Sequence, residues 1–129
     1  MKKVFFLLLV VLLSNWATAQ ITDYSIFDKK FNFYVANDLG RNGYYDQKPI
    51  AELMGTMAEE VGPEFVVATG DIHHFEGVRS VNDPLWMTNY ELIYSHPELM
   101  IDWFPVLGNH EYRGNTQAVM DYTNVSRRW

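Results

Sequence analysis

Three short polar clusters hold the residues with the most chemistry to offer. They are Asn37-Asp38-Leu39-Gly40, then Gly70-Asp71 followed by His73 and His74, then Gly108-Asn109-His110-Glu111. Asp38 and Asp71 bring carboxylate oxygens, the two histidines bring imidazole nitrogens, and Asn109 brings an amide oxygen. A mixed oxygen and nitrogen donor set without sulfur suits iron, zinc or manganese. One carboxylate can bridge two such cations ~3.5–4 Å apart, and the pair then makes hydroxide available near neutral pH and clamps a phosphoryl oxygen. An imidazole at the edge of the site can contact the phosphate or protonate a leaving group. His110, directly after Asn109, is placed for that. Adjacent histidines point in different directions, so one of His73 and His74 is expected as a ligand and the other behind the ligands or at the surface. Glu76 and Glu111 are expected to be solvated or to sit behind the ligands. Taken singly each cluster is an ordinary turn, because Asn, Asp and Gly are turn formers.

The elements around the clusters give them a common place. Residues 30–36 are aromatic and β-branched and predict a strand. Residues 65–68 form a continuous apolar run, the pattern of a buried strand, and residues 103–107 predict a third. Ile50, Leu53, Met54, Met57 and Val61 recur at helical spacing after Pro49, and Gly62-Pro63 stops the helix. Asp83-Pro84 opens a second helix through about residue 94, and a short one covers 116–122. Alternation of this kind means βαβ units and a parallel sheet, covered on both faces. Right-handed crossovers put all strand C-termini on one edge, where open α/β sheets bind ligands. Asp38, Asp71 and Asn109 each follow a strand and are separated by 33 and 38 positions, so one crossover fits in each interval.

Composition excludes several classes. The chain has 129 residues, a formal charge of −6 and no cysteine. The acidity argues against nucleic-acid binding, and the lack of cysteine removes disulfides, thiolate zinc sites and cysteine nucleophiles. Residues 1–19 read as a signal peptide: Met1-Lys2-Lys3, ten apolar residues over 4–13, then Ala17-Thr18-Ala19 as a cleavage site. Ten residues of helix span ~15 Å, half of a ~30 Å hydrocarbon core, so no stable membrane anchor is expected. The mature chain would begin at Gln20 and be periplasmic or secreted. Asn124-Val125-Ser126 matches a glycosylation sequon, a short and weak pattern.

Val35-Ala36-Asn37-Asp38-Leu39-Gly40, Ala68-Thr69-Gly70-Asp71 and Val106-Leu107-Gly108-Asn109-His110-Glu111, in that order and behind strands, resemble the first three blocks of the calcineurin-like metallophosphoesterases. The likeness is closest to the small purple acid phosphatases of the tartrate-resistant type. Gly77-Val78 through Asn82-Asp83 and the closing Ser126-Arg127-Arg128-Trp129 share it. The resemblance implies an α/β fold, a mostly parallel sheet that is the N-terminal half of a four-layer sandwich, with residues 20–129 an incomplete domain. It implies that Asp38 ligates a first metal, Asp71 bridges both and Asn109 ligates the second. His110 would handle the proton and contact phosphate. The metals would be two divalent or mixed-valence ions of iron, zinc or manganese, and the substrate a small phosphate monoester.

The sequence departs from the family at three places. Asn37 replaces a glycine. His74 stands where the purple enzymes have an iron-bound tyrosine, so the resemblance predicts a binuclear site that is not purple. Glu111-Tyr112 keep the family's acid and lose the histidine that often follows it. The family's later Gly-His and Gly-His-x-His blocks are not in this sequence. The main expectation is therefore a fragment of an exported metallophosphatase, poorly stable and weak in metal binding when isolated. A phosphodiesterase of the same superfamily and a non-catalytic half-domain are the alternatives. A solute-binding protein would not need an acid or Asn-His at every strand end.

Overall fold

The computed structural model describes residues 23–28 and 30–129. The expected signal peptide lies outside them. Among the described residues no helix is long and apolar enough to cross a membrane.

β1 (Tyr34–Ala36), β2 (Phe65–Ala68) and β3 (Asp102–Pro105) form a parallel sheet in the order β1-β2-β3. The register sets Ala36 level with Ala68, and Ala68 level with Pro105, so the three strands end together. The expected single edge for the polar clusters therefore exists. The first crossover is helix α1 (Gln47–Val61); the second carries a π-helical turn, Met87–Glu91, and a 3₁₀ turn, Pro97–Leu99. After β3 come a 3₁₀ turn at Glu111–Arg113, helix α2 (Thr116–Asp121) and a last turn at Tyr122–Asn124.

Local chemistry explains most of these limits. Gly62 ends α1 in the left-handed conformation (φ 56°, ψ 63°) and donates its N–H to the Ala58 carbonyl, a stop that glycine adopts without a Cβ penalty. Asn115 caps α2 by accepting the Ala118 N–H at 3.2 Å. The strand expected from residue 30 narrows to Tyr34–Ala36, although Glu64 still donates to the Asn32 carbonyl at 2.8 Å. β3 starts one residue and ends two residues earlier than expected, and its pairing continues as Val106 donates to Ala68 at 2.7 Å.

Three expectations need correction. The buried stripe of α1 is Gln47, Ala51, Gly55, Ala58 and Val61, while Ile50 and Leu53 are exposed. Small residues win because neighbours come close: a Cβ at Gly55 would overlap the His96 ring. The helix expected over 83–94 is a turn and a π-helical segment. Asp83 does cap, accepting the Leu85 N–H at 3.0 Å. Leu92 then bonds back to Met87, and the wider turn brings neighbouring Asn89 and Tyr90 both inward. Finally, among the described residues the sheet is covered on one face. Val66, Ala68 and Trp103 are buried, whereas Phe33, Val35, Phe104 and Val106 on the alternate positions are exposed.

The core lies under the covered face and is built mainly of aromatic rings. Trp86 stacks on Tyr122 with ring centroids 3.5 Å apart, and Trp129 meets both Trp86 and Tyr90 edge-on. Tyr90 packs against Trp103 at 5.1 Å. Arg128 passes through this core with its guanidinium 4.4 Å from the Tyr90 ring, donates to the Tyr94 and Leu99 carbonyls, and pairs with Glu91 at 2.7 Å. The Arg128 carbonyl accepts the Trp103 N–H at 2.6 Å, and so ties the last residues to β3.

Candidate metal centre

Each strand hands over to its polar loop within a few residues, and the loops then converge. Asp38 donates its N–H to the Gly70 carbonyl, and Gly40 donates to the Asp71 carbonyl. Asp38 and Asp71 both have positive φ, at 54° and 53°. This conformation is uncommon outside glycine and clusters at functional sites. The loops approach so closely that a Cβ at Gly40 would overlap the Ile72 carbonyl, and one at Gly108 would overlap Asp71. Glycine is required there by contact with the next loop.

Glu111 fixes this arrangement. Its buried carboxylate accepts four backbone N–H groups: Asp71 and Gly108 at 2.8 Å, Ile72 at 2.9 Å and His73 at 3.0 Å. One side chain therefore binds the loop after β2 to the loop after β3. The Asp71 carboxylate adds a second tie by accepting the His110 N–H at 3.0 Å.

The donor atoms meet around Asp71. Asp71, His74 and His110 each offer one ligand atom within 4.8 Å of the others. His74 Nε2 lies 3.8 Å from Asp71 Oδ2 and 3.6 Å from Asp38 Oδ1; His110 Nε2 lies 4.0 Å from Asp71 Oδ2. The Nδ1 atoms are engaged elsewhere, His74 with the Gly40 carbonyl at 2.8 Å and His110 with the Phe75 carbonyl at 2.6 Å. A carbonyl can only accept, so in the neutral imidazole each Nδ1 carries its hydrogen and each Nε2 keeps a lone pair for the cluster; at His110 the carbonyl contact is shorter than that of Arg113 Nη1, 3.3 Å from the same Nδ1. Burial first, then the nearby Arg41 and His110, disfavours the His74 imidazolium; the Gly40 carbonyl and Asp71 oppose them without prevailing. A neutral His74 is the form that can ligate. These N and O donors fit a cation of the iron, zinc or manganese type.

The remaining candidates are placed differently. Asp38 is exposed beside His74, and Asn109 is exposed in the loop that carries His110. Glu76 is exposed near Arg79 and Arg113, on the wall of a separate surface depression. His73 lies behind the cluster: it is buried with its ring edge-on to Trp86 at 4.3 Å, and neither ring nitrogen has a hydrogen-bond partner among the described residues. Burial pushes its pKa down to about 4 against the pull of Glu111 and Asp83. Sequence reasoning missed Gln47 and Asn89, two buried amides that hold the loop after β1. Their only signal was a polar residue at a helical position facing inward.

Known proteins share this layout. The model of the calcineurin-like phosphoesterase family matches residues 31–129. Purple acid phosphatase 7 of Arabidopsis thaliana is 37% identical over 102 residues, which is 79% of this chain and 31% of the relative. Tartrate-resistant acid phosphatase type 5 of Oryctolagus cuniculus is 34% identical over 80 residues, 61% of this chain and 25% of the relative. Among solved structures, the protein described as GAP50, the anchor in the inner membrane complex of Plasmodium, superposes with a TM-score of 0.59 at 27% identity, over 66% of this chain and 27% of that one. The chain thus spans about a third of the length of the plant relatives. Since the family match runs through all three strands and all three polar loops, the chain belongs to the calcineurin-like phosphoesterases.

Proposed function

We propose that this chain supplies part of an exported phosphatase with two metal ions that hydrolyses phosphate monoesters. The observation that carries the reading is the meeting of the Asp71 carboxylate with two imidazoles whose Nε2 atoms are both left free. Asp38, Asp71, His74 and Asn109 would hold the ions, with Asp71 shared between them. When bound, such ions supply a hydroxide nucleophile near neutral pH and neutralise charge on the phosphoryl oxygens.

The chain's own residues have separable tasks. Glu111 holds Asp71 in register with the His110 loop through its four backbone contacts. The Gly40 carbonyl sets the tilt of the His74 ring. The Phe75 carbonyl keeps the His110 hydrogen on Nδ1, so proton exchange with a phosphoester oxygen takes place at Nε2. Arg113, whose Nη1 is 3.3 Å from the same carbonyl, adds positive charge at that edge.

The test is the metal-supplemented full-length protein to which this chain contributes, with phenyl phosphate and diphenyl phosphate as substrates. The monoester should be the better substrate, and His110→Ala should lower its turnover about 10²–10⁴-fold, the range for a lost general acid–base group. Preference for the diester would move the protein to the diesterases. An unchanged rate in His110→Ala would remove the role given to that residue. Export predicts a secreted form beginning at Gln20, readable by mass spectrometry.

A further inference from the structure

The loop between β1 and α1 holds its aromatic side chains in solvent while its backbone is fixed from below. The buried Gln47 side chain accepts the N–H groups of Arg41 and Gly43 at 3.0 and 2.6 Å and donates to the Leu39 and Asn89 carbonyls. Asn89, fully buried on the π-helical turn, accepts the Asn42 N–H at 2.6 Å. Asn42 and Tyr45 both sit at φ 54°, where a side chain is disfavoured. Despite all these ties, Tyr44 and Tyr45 are 71% and 82% exposed. Rings carried on a fixed backbone and left uncovered cost less to bring into contact than rings on a free loop.

The position of this loop shows what it could contact. Arg41, Asn42, Tyr44, Tyr45 and Phe75 line one open cleft. Phe75 follows His74 directly, and its ring centroid is 6.1 Å from that imidazole and 6.3 Å from His110. The Arg41 guanidinium lies 5.6 Å from the Phe75 centroid, and its charge reaches His74. Through Phe75 the cleft adjoins the donor cluster, with the Arg41 cation beside that ring and the two tyrosines beyond.

Resting on the phosphoester reading, we propose that this cleft is the leaving-group subsite and that Arg41 and Phe75 determine specificity. Arg41 meets the charge of the phosphoryl group, and Phe75 with Tyr44 and Tyr45 receives a planar aromatic group esterified to it in preference to an aliphatic one. Guanidinium is suited to both neighbours, since it pairs with phosphate oxygens and packs on ring faces.

Binding of two non-hydrolysable probes tests this without turnover. Calorimetry on the manganese-supplemented protein compares phenylphosphonate with methylphosphonate. Phenylphosphonate should bind about three- to tenfold more tightly, the effect of one or two favourable ring contacts. Phe75→Leu should bring the ratio towards one, and Tyr45→Ser should lower it if Phe75→Leu does not fold. Arg41→Ala should weaken both probes together, about tenfold, as expected for a lost charge-assisted contact. Equal binding of the two probes, or a ratio that survives in both ring variants, overturns the subsite and leaves the phosphatase reading standing. Failure of both probes to bind the metal-supplemented protein overturns the two readings together.

Discussion

Two carboxylates, Glu111 buried and Glu91 half-buried, do opposite work in this chain. Glu111 sits at the loop edge and faces backbone N–H groups; Glu91 sits at the aromatic core and faces Arg128, with Tyr122 donating to its other oxygen at 3.1 Å. Glu111 fixes two loops to each other through its four backbone hydrogen bonds. Glu91 neutralises a cation that is itself threaded between rings. The first organises a site and the second permits a core. A carboxylate that satisfies backbone donors is hard to replace, because its loss leaves several of them unpaired at once. An ion pair can in principle be exchanged for matched apolar residues.

The largest effect is expected from Glu111. Glu111→Ala strands four N–H groups, two of them in part reachable by water, and should destabilise by about 3–5 kcal/mol. Chemical denaturation of a folded parent protein would measure it. Glu111→Gln keeps one acceptor oxygen and should lose less stability while still weakening metal binding, because the Asp71 and His110 loops lose their tie. If Glu111→Gln leaves metal affinity untouched, the brace does not serve the site.

Arg128→Met comes next. It leaves Glu91 without its cation and should cost about 2–3 kcal/mol, the low end for a buried hydrogen-bonded pair, since Glu91 keeps some exposure. The double change Arg128→Met with Glu91→Leu should recover part of that loss. An additive loss would contradict the comparison between the two carboxylates.

The same pair gives a pH signature. Burial tends to raise the Glu91 pKa, but hydrogen bonds from Ser126, Arg128 and Tyr122 and the Arg128 charge outweigh it, so the net shift is downward. A carboxyl with a depressed folded pKa stabilises above its unfolded value of 4.5, and that contribution is lost as pH falls below it. Thermal unfolding between about pH 6 and pH 3 should therefore decline more steeply for the parent than for Glu91→Gln. Parallel curves would show that Glu91 carries no such linkage.

The smallest effect on stability belongs to the bare side of the sheet, which neither carboxylate serves. Phe31, Phe33, Phe65 and Phe104 form a chain of ring contacts there, with neighbouring centroids 5.1–5.9 Å apart. Phe104→Lys should change folding stability by no more than about 0.5 kcal/mol but reduce self-association, because exposed apolar patches promote contact between chains. Light scattering at rising concentration would show it, and equal association of the two proteins would contradict it.

Legibility in the sequence followed the same division. β2 was readable to the residue from its apolar run, and the end of α1 from Gly62-Pro63, because those signals are local. The meeting of the loops that carry Asp38, Asp71 and His110 follows from a parallel sheet, which must gather strand ends at one edge. Coverage of both sheet faces was inferred from a general rule about parallel strands, and the alternation of Phe33, Tyr34, Val35 and Ala36 already argued for one exposed side. The part played by Glu111 was hidden, since its partners are backbone groups from residues 38–40 positions away. His73 and His74 look alike in sequence, and only the packing of Trp86 decides which one enters the core.

The central claim is that Asp71 and His74 belong to a metal centre, with His110 at its edge, held in shape by the loops around them. Isothermal titration of manganese or zinc into the parent protein and into Asp71→Ala, with circular dichroism confirming that both are folded, tests it directly. The account predicts saturable binding in the parent and loss of at least one bound ion in Asp71→Ala. Equal stoichiometry and affinity in the two folded proteins would contradict it.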